Sequence, residues 1–592
     1  MYLNRLLIFL IPLALFVYGC EQVERPEQLK IKVIETSDVH GAVFPYDFVE
    51  DEPSGHSLAQ VLTYVKQERA KDDQVVILLD NGDILQGDPS VYYYNFINTD
   101  GNHLVSEVMN FMDYDAASVG NHDVEPGHPV YDKLRNEFDF PWLAANARDV
   151  NSGRPYFEPY TVLERSGVKI AVLGLITPAI PQWLPESIWE GMEFEDMIES
   201  AKYWVEEIRR TEKPDVMIGL FHAGYDFTYN NQTADTYKNE NASKLVAEQV
   251  PGFDLVLVGH DHHGWNETLT NWAGNEVLVL GTTSRARDVA VANISLTINK
   301  TTNHYTKKMS GEIVKMKDIE PDEEFMDEFN AQFENIKEYV SEPLAQMEKD
   351  ISTAEAFFGD AAFTDMIHRA QLDLTGAELS FTAPLSFNKT IDEGTVYVGD
   401  LFKIYRYENF MYTMKLGGVE IRDYLEYSYG LWLNEMKGPG DHLLAFEKDD
   451  ADEIMMRDGS ARLDHAYYNF DNAEGINYTV DVSKPVGERV TITTLSDGTP
   501  FDLNKTYTVA INSYRGNGGG GHLTAGAKIR PELLSDRIIS NTEKDFRFYL
   551  MEWIREQETL NPKANHNWKI VPEQWMEKAA NDDRRLLFGS AE

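Results

Sequence analysis

The chain has 592 residues, enough for roughly two to four domains with sizeable hydrophobic cores, so fibrous proteins and disulfide-rich mini-proteins are excluded. Hydrophobic residues make up 43% and charged residues 26%, which is the composition of a globular protein and not of a disordered chain. The formal net charge is −45 with no compensating basic run, which disfavours binding to a nucleic-acid polymer. An anionic small molecule would need a local cation in its site, and metal ions are the obvious candidates.

Residues 1–20 have the pattern of a bacterial lipoprotein signal. One arginine precedes an apolar run at 6–18 that is too short to cross a bilayer comfortably and contains Pro12. Cys20 follows Gly19 and is the only cysteine, so no intramolecular disulfide is possible. We predict a signal peptide at 1–19 and a lipid anchor at Cys20, which would be the sole membrane attachment of an extracytoplasmic protein in a bacterial periplasm or outer membrane. The alternative is a plain secretory peptide.

The rest of the chain divides into two predicted domains. Short apolar runs alternate with helical segments over 28–318, which is typical of an α/β domain. Residues 348–575 contain strands at 394–398 and 507–512 among turns and a few helices, which predicts a separate α+β domain. Residues 576–592 are polar and are predicted to form a helical or frayed tail.

A linker at 319–347 joins the two domains. Large apolar residues recur in it at spacings of three or four, at Phe325, Phe329, Phe333, Ile336 and Val340. This helical periodicity predicts one amphipathic connecting helix over 321–347.

Each of five apolar runs in the first half leads into Asp, Asn or His. The runs at 29–34, 75–79 and 116–119 lead into TSDVHG at 36–41, NGD at 81–83 and GNHD at 120–123. The runs at 216–220 and 255–258 lead into His222 and into GHDH at 259–262. In open α/β sheets, ligands bind outside the carboxyl ends of the strands, so five such arrivals can meet at one site. Any one of them alone would be an ordinary structural residue, but the set of five predicts a metal centre.

The spacing within two of these blocks supports convergence. Asp38 and His40 are two residues apart, as are His260 and His262. Side chains alternate faces along an extended segment, so both members of each pair can project the same way. Glycines beside these residues permit the turns that a crowded site requires.

The five blocks resemble, in order, the signature D-x-H, G-D, G-N-H-[DE], H, G-H-x-H of the calcineurin-like two-metal phosphoesterases. The resemblance implies a four-layer αββα-type metallophosphoesterase domain. It also implies two divalent metal ions, one held by Asp38, His40 and His262, the other by Asn121, His222 and His260, with Asp83 bridging them. His122 would be a general acid or transition-state stabiliser, oriented by Glu125 where the nucleotidase branch usually has Asp.

The chemistry suits this ligand set. Two cations neutralise the charge that slows attack on a phosphate ester, and a metal-bridging hydroxide supplies the attacking oxygen. Carboxylate, amide and imidazole ligands suit Zn, Mn or Fe alike, which leaves the metal identity unknown. The body of the chain has no cysteine nucleophile and no P-loop, so kinase and NTPase chemistry are disfavoured.

The second domain resembles the C-terminal nucleoside-binding domain of the periplasmic 5'-nucleotidase family. Tyr407 and Tyr514 occupy the positions of its two base-stacking aromatic residues, and Asn409 that of its base-contacting asparagine. Stacking between two rings would bind a base with little discrimination. The predicted partner is therefore a small nucleotide, whose base does not follow from the sequence; neither does the oligomeric state.

The subfamily is indicated by three segments. Ordinary 5'-nucleotidases carry a Gly-Gly-Ile-Arg block, whereas residues 380–387 contain no arginine. Residues 467–480 and 512–515 look like the 2',3'-cyclic-nucleotide 2'-phosphodiesterase/3'-nucleotidase branch. We predict that activity, with a 5'-nucleotidase or a sulfur-compound hydrolase as alternatives within the class and a non-catalytic nucleotide-binding surface lipoprotein outside it.

Overall fold

A computed structural model describes residues 25–229, 232–457 and 459–589. The predicted signal peptide at 1–19 and the predicted anchor at Cys20 lie outside these ranges. Within the ranges, no helix is both long enough and apolar enough to cross a membrane.

The first domain contains two six-stranded sheets, of which the first holds the amino-terminal strand. The order of its strands is His304–Lys315, Asp288–Asn299, Gln28–Thr36, Val75–Asp80, Ala116–Ser118 and Trp142–Leu143. The last four of these are parallel, and the first two pair antiparallel at one edge. The apolar runs at 29–34 and 75–79 form buried central strands, as buried parallel pairing requires.

The second sheet has the same number of strands and a similar plan. The order of its strands is Trp265–Thr270, Glu276–Gly281, Leu255–Val258, Val216–His222, Val168–Ile176 and Tyr160–Arg165. The four central strands are parallel, and both edge strands pair antiparallel with their neighbours. Parallel strands place all their carboxyl ends at one edge of the sheet, which positions the site.

The two sheets pack face to face between layers of helices. Aliphatic side chains that alternate along the strands form the shared core, including Ile31, Val33, Ile77, Leu79, Val172, Ile218, Leu220 and Leu257. The helices outside the first sheet are Leu58–Arg69, Leu104–Phe111 and His128–Glu137, and those outside the second are Met197–Thr211 and Ser243–Gln249. The predicted αββα arrangement is confirmed.

The connecting segment differs from the single helix predicted over 321–347. It forms two helices, Glu323–Glu328 and Asn330–Val340, because Phe329 between them leaves the helical conformation at φ −99° and ψ 15°. Pro343 cannot continue a helix, and Pro343–Met347 instead pairs as a strand with Gly394–Tyr397. The predicted length was therefore wrong, although the apolar face does pack against the first domain.

The second domain is built on a five-stranded mixed sheet. The order of its strands is Asn472–Glu474, Leu379–Thr382, Thr506–Asn512, Phe410–Gly417 and Ile538–Asp545. The main helices are Ala362–Thr375, Gly418–Trp432 and Phe546–Gln557. Two three-stranded sheets complete the domain. The first consists of Gly394–Tyr397, Pro343–Met347 and Thr559–Leu560. The second consists of Val490–Leu495, Ile476–Asp481 and Trp568–Val571. The predicted α+β class and the two predicted strands are confirmed.

Short elements fill the connections. The short strands are Tyr46–Asp47, Glu52–Pro53, Ala147–Asp149, Met192–Phe194, Ile351–Ser352, Thr390–Ile391, Met456–Arg457 and Ser460–Ala461. The short helical segments are Pro89–Tyr92, Tyr93–Ile97, Asn121–Val124, Ile180–Gln182, Glu186–Trp189, Thr353–Phe357, Val398–Ile404, Tyr467–Asn469, Ser513–Gly516, Gly519–Gly521, His522–Gly526, Pro531–Leu533 and Ser535–Arg537.

The predicted tail is helical and packs on the second domain. Helix Glu573–Phe588 buries Ala579 and Leu587 in that domain's core. The buried carboxylate of Asp583 accepts hydrogen bonds from the backbone N–H groups of Leu443 and Leu444 at 2.7 and 2.8 Å. These contacts make the helix part of the second domain and exclude the frayed alternative for 573–588.

The two domains meet at a buried tyrosine. Tyr92 of the first domain donates a hydrogen bond from its hydroxyl to Asp545 Oδ2 at 3.0 Å. Its ring packs edge-on against Phe402 with centroids 5.3 Å apart, and the Arg547 guanidinium lies 5.0 Å from the ring centroid. These contacts hold the second domain over the carboxyl ends of the strands.

Candidate active site

The five predicted blocks meet at one end of the two sheets. Asp38 and His40 follow strand Gln28–Thr36, Asp83 follows Val75–Asp80, and Asn121 follows Ala116–Ser118. From the second sheet, Val216–His222 ends at His222, and Leu255–Val258 precedes His260 and His262. The parallel strands therefore deliver all seven predicted ligands to a common edge.

The seven side chains form two neighbouring groups. One contains Asp38, His40 and His262, and the other contains Asp83, His222 and His260, with the ligand atoms of each group within 4.8 Å of one another. In the first group, His262 Nε2 is 3.1 Å from His40 Nε2 and 3.2 Å from Asp38 Oδ1. In the second, His222 Nε2 lies 3.0 Å from Asp83 Oδ2 and 3.2 Å from Asn121 Oδ1.

The donor atoms fit divalent cations. His40 Nδ1 and His222 Nδ1 hydrogen-bond to the backbone carbonyls of Gln86 and Asn81, at 3.0 and 2.5 Å. An Nδ1–H that donates to a carbonyl leaves the Nε2 lone pair free for a metal, and this second partner orients the ring. Two such imidazoles beside buried carboxylates form a nitrogen and oxygen set that suits Zn, Mn or Fe.

Five of these ligands have left-handed backbone conformations. The φ angles are +52° at Asp38, +48° at His40, +59° at Asp83, +77° at His260 and +57° at His262. The prediction that alternation along extended segments aims each pair at one site was therefore wrong in its mechanism. Non-glycine residues seldom adopt positive φ, and a concentration of them is typical of a functional site whose surroundings enforce the geometry.

An aspartate to which the sequence analysis gave no role holds the ligand loops. The buried carboxylate of Asp123 accepts hydrogen bonds from four backbone N–H groups, those of Asp83, Ile84, Leu85 and Gly120, at 2.8–3.2 Å. The sequence did offer a clue to Asp123, because it is the fourth residue of the Gly-Asn-His-Asp motif at 120–123. A Cβ at Gly120 would lie 2.1 Å from Asp83 Oδ1, so only glycine permits this approach.

The charges within the centre compensate one another. Burial alone would raise the pKa values of Asp38 and Asp83, but the neighbouring histidines hold both below their usual range. Burial would lower the pKa of His222, whereas the Asp83 carboxylate raises it to about 9. For His40, burial prevails and lowers the pKa to about 3, which leaves a neutral imidazole.

His122 and Glu125 form the predicted pair. His122 Nδ1 lies 2.6 Å from Glu125 Oε2, and the His122 backbone N–H donates to Asp83 Oδ1 at 2.7 Å. Burial would lower the pKa of His122, but the carboxylates of Asp83 and Glu125 raise it to about 10. The glutamate side chain, although longer than aspartate, thus still contacts the imidazole at Nδ1. The other ring nitrogen of His122, Nε2, is not used in this contact.

A cavity of about 540 Å³ joins this centre to the second domain. The wall contributed by the first domain includes Asn121, His122, Glu125, Trp183, Tyr229, Glu240 and His260. The wall contributed by the second domain includes Leu385, Tyr407, Glu408, Asn409, Tyr468, Asn512 and Tyr514. All three predicted substrate-binding residues, Tyr407, Asn409 and Tyr514, are therefore in its wall.

A third tyrosine stands between the two predicted ones. Tyr468 packs edge-on to Tyr407 with ring centroids 6.0 Å apart, and edge-on to Tyr514 at 6.5 Å. We call Tyr407, Tyr468 and Tyr514 the tyrosine wall. Tyr468 was not predicted as a substrate contact, because residues 467–480 indicated only the subfamily; the paired tyrosines at 467 and 468 were the available signal.

A buried arginine supports the tyrosine wall from behind. Arg515 makes a bidentate ion pair with Asp471 at 2.9 and 3.0 Å. It also donates to the carbonyls of Tyr468 and Gly519, both at 2.8 Å. One side chain thus ties the Tyr468 segment to the glycine run that follows Tyr514.

The cavity is acidic apart from its histidines. Its wall includes the carboxyl groups of Glu125, Asp226, Glu240, Asp261 and Glu408. No lysine or arginine is found among its wall residues in the part of the chain that the structure describes. A bound phosphate must therefore be neutralised by the histidines and by metal cations.

Comparison with known proteins identifies both halves. Residues 31–264 match the family described as Calcineurin-like phosphoesterase, and residues 340–527 match 5'-nucleotidase, C-terminal domain. The chain is 27% identical to the Trifunctional nucleotide phosphoesterase protein YfkN of Bacillus subtilis over 92% of this chain but only 39% of that protein. It is 24% identical to the 2',3'-cyclic-nucleotide 2'-phosphodiesterase/3'-nucleotidase of Haemophilus influenzae over 92% of this chain and 87% of that relative.

The fold matches solved structures as well. A putative 5'-nucleotidase from Staphylococcus aureus superimposes with a TM-score of 0.72 at 20% identity, over 91% of this chain and 99% of that chain. Residues 31–264 are therefore a calcineurin-like phosphoesterase domain and residues 340–527 a 5'-nucleotidase C-terminal domain, and the chain is a metal-dependent phosphoester hydrolase. This confirms the predicted family and enzyme class.

Proposed function

We propose that this two-domain metallophosphoesterase hydrolyses extracytoplasmic nucleotides, opening 2',3'-cyclic nucleotides at the 2' bond and then releasing phosphate from the 3'-nucleotide. The observation that carries the proposal is one cavity of about 540 Å³ whose wall includes the predicted ligands Asn121 and His260, the neighbouring His122, and the tyrosine wall. A ligand with a ring system at one end and a phosphate at the other fits such a cavity.

The metal-ligand groups determine where the phosphate binds. Asp38, His40 and His262 would hold one divalent cation, and Asp83, His222, His260 and Asn121 the other. The family resemblance implies that Asp83 would also reach the first cation. When bound, such cations polarise a phosphoryl group and lower the pKa of a coordinated water.

The side chains of the chain itself supply the remaining steps. The Glu125 carboxylate orients the His122 imidazole, so that its Nε2 can stabilise or protonate the departing oxygen. Tyr407 and Tyr514 stack with the base, and Asn409 hydrogen-bonds to it. Substrate that fills the cavity excludes water and strengthens these polar contacts.

The charge of the cavity favours a cyclic diester over a monoester. A 2',3'-cyclic phosphate carries one negative charge, whereas a 5'-monoester carries about two at pH 7. The carboxyl groups of Glu125, Asp226, Glu240 and Asp261, with no wall lysine or arginine among the described residues, repel the second charge. The strand Leu379–Thr382 is buried and brings no arginine to the cavity, consistent with the absent Gly-Gly-Ile-Arg block.

A substrate panel tests the proposal. Purified soluble protein is incubated with 2',3'-cyclic AMP, 3'-AMP and 5'-AMP, and the products are separated by chromatography. We expect 3'-AMP and then adenosine from the cyclic substrate. If 5'-AMP were the only substrate to release phosphate, the protein would be a 5'-nucleotidase instead. The match of residues 340–527 to a 5'-nucleotidase C-terminal domain supports this alternative.

A second assay addresses the non-catalytic alternative. Hydrolysis of bis-p-nitrophenyl phosphate is measured before and after chelation and after addition of Mn or Zn. We expect chelation to abolish the activity and a metal to restore it. Inactivity in every state would indicate a nucleotide-binding surface lipoprotein. The proposed extracytoplasmic location and lipid anchor depend on residues 1–20, and labelling of Cys20 by a fatty-acid probe in a bacterial host tests both.

A further inference from the structure

Glu408 is a buried carboxyl group without a complete set of partners. Its side chain is 1% exposed, and it lines the cavity between the metal-ligand groups and the tyrosine wall. Oε2 has no hydrogen-bond partner. Buried polar atoms are normally paired, so an orphan oxygen at a binding cavity points to a ligand group.

The segment that carries Glu408 is held in place. Glu408 Oε1 lies 3.5 Å from an Arg547 guanidinium nitrogen. Arg547 is itself buried and donates to the backbone carbonyls of Tyr405 and Arg406, both at 2.9 Å. The carboxyl group is therefore fixed by one oxygen, which leaves the other available for a ligand.

The position of Glu408 indicates which part of a nucleotide it meets. Its chain neighbours Tyr407 and Asn409 are the predicted base contacts, and the charges of Glu125 and His122 act on its carboxyl group. In a nucleotide, the group between base and phosphate is the ribose. The 3'-nucleotide that forms when the 2' bond of the cyclic ester opens has a free 2'-hydroxyl. This second substrate, when it spans the cavity, therefore places a ribose hydroxyl beside Glu408.

We propose that Glu408 hydrogen-bonds through Oε2 to a ribose hydroxyl and makes the cavity selective for ribonucleosides over the corresponding deoxynucleosides. The proposal rests on the nucleotide orientation in the proposed function. Burial raises the pKa of Glu408 to about 8, so the group is largely neutral at pH 7 and can donate a hydrogen bond without repelling the phosphate. A ligand that lacks the hydroxyl leaves the buried oxygen unpaired.

Calorimetric titration tests this selectivity without requiring turnover. Metal-loaded full-length protein is titrated with adenosine, 2'-deoxyadenosine and 3'-deoxyadenosine. The variants are Glu408→Ala, the conservative Glu408→Gln, and Glu532→Gln as a control at an exposed position outside the cavity. Thermal melting establishes that each variant is folded, and Glu408→Gln decides the question should Glu408→Ala fail to fold.

The wild-type protein is expected to bind adenosine about tenfold more tightly than the deoxynucleoside that lacks the recognised hydroxyl. Glu408→Ala removes the preference, so that the two bind within about twofold of each other. Glu408→Gln keeps part of it because an amide also donates and accepts. Three outcomes would overturn the proposal. Glu408→Ala could weaken the binding of all three nucleosides equally, it could keep the preference for adenosine, or the wild-type protein could fail to bind adenosine. Failure of the proposed function would appear separately, as no nucleotide hydrolysis by a protein that retains the tenfold preference.

Discussion

The metal centre and the tyrosine wall are built in opposite ways. Every predicted metal ligand lies within four residues of a strand end, and Asp123 joins two of the loops through backbone hydrogen bonds. The three tyrosines come from segments more than 40 residues apart, and the buried pair of Arg515 and Asp471 joins the segments of Tyr468 and Tyr514. Local backbone geometry therefore fixes the first region, and long-range side-chain contacts fix the second.

This difference separates catalysis from recognition. Changes in the metal centre should affect every phosphoester, because all substrates meet the same cations. Changes in the tyrosine wall should affect nucleotides most, because only these carry a base. Four predictions test the division, in order of decreasing effect.

Removing the charge of Asp83 should have the largest effect. Asp83→Asn keeps the size of a side chain that contacts both His222 and the His122 backbone N–H. We expect loss of bound metal and a fall of roughly a thousandfold in kcat/KM for bis-p-nitrophenyl phosphate, equivalent to several kcal/mol. Asp72→Asn, at an exposed position, is the matched control. Full metal content with undiminished turnover would remove Asp83 from the centre.

Breaking the buried pair should destabilise the second domain. Arg515→Met leaves the Asp471 carboxylate buried without its partner, and we expect a loss of about 3–5 kcal/mol in the free energy of unfolding. Adding Asp471→Asn should recover part of it, since the buried charge is then absent. Urea unfolding measures both variants against Arg530→Met, which removes an exposed arginine. A loss below about 1 kcal/mol would show that other contacts support the tyrosine wall.

Adding one methyl group at Gly120 should disturb the metal centre without changing its charge. The new Cβ would lie 2.1 Å from Asp83 Oδ1, so the carboxylate must move. For Gly120→Ala we expect metal affinity and turnover to fall about 10–100-fold, as for other changes in ligand support. Gly55→Ala, where a Cβ meets nothing within 4 Å, is the control. Equal behaviour of both variants would contradict the tight approach.

Removing one ring should have the smallest effect and the most selective one. For Tyr514→Leu we expect KM for nucleotides to rise about tenfold, within the roughly 1–3 kcal/mol that one stacked base contributes. The change for bis-p-nitrophenyl phosphate should be smaller, because that ester has no base. Tyr203→Leu replaces an exposed tyrosine and serves as the control. An equal rise in KM for nucleotides and for bis-p-nitrophenyl phosphate would show that Tyr514 does not act by stacking on the base.

The same division explains what the sequence revealed. Ligands next to strand ends form short motifs, so all seven, together with His122 and Glu125, could be named from the sequence alone. The left-handed conformations of Asp38 and His262 could not be predicted, because their two-residue spacing from the neighbouring ligand is also what an extended segment would give. The paired tyrosines at 467 and 468 do not indicate which ring lines the cavity, because the place of Tyr468 depends on the distant Arg515, which donates to its carbonyl. The helix break at Phe329 was also hidden, because the apolar periodicity continues through it.

The absence of lysine and arginine among the described wall residues bears on how products leave. In the proposed reaction, only the histidines and the metal cations of the centre are left to retain the orthophosphate product. The nucleoside keeps every contact with the tyrosine wall that the substrate had. Accumulated nucleoside should therefore compete with new substrate for the tyrosine wall, and added adenosine should slow the hydrolysis of nucleotides.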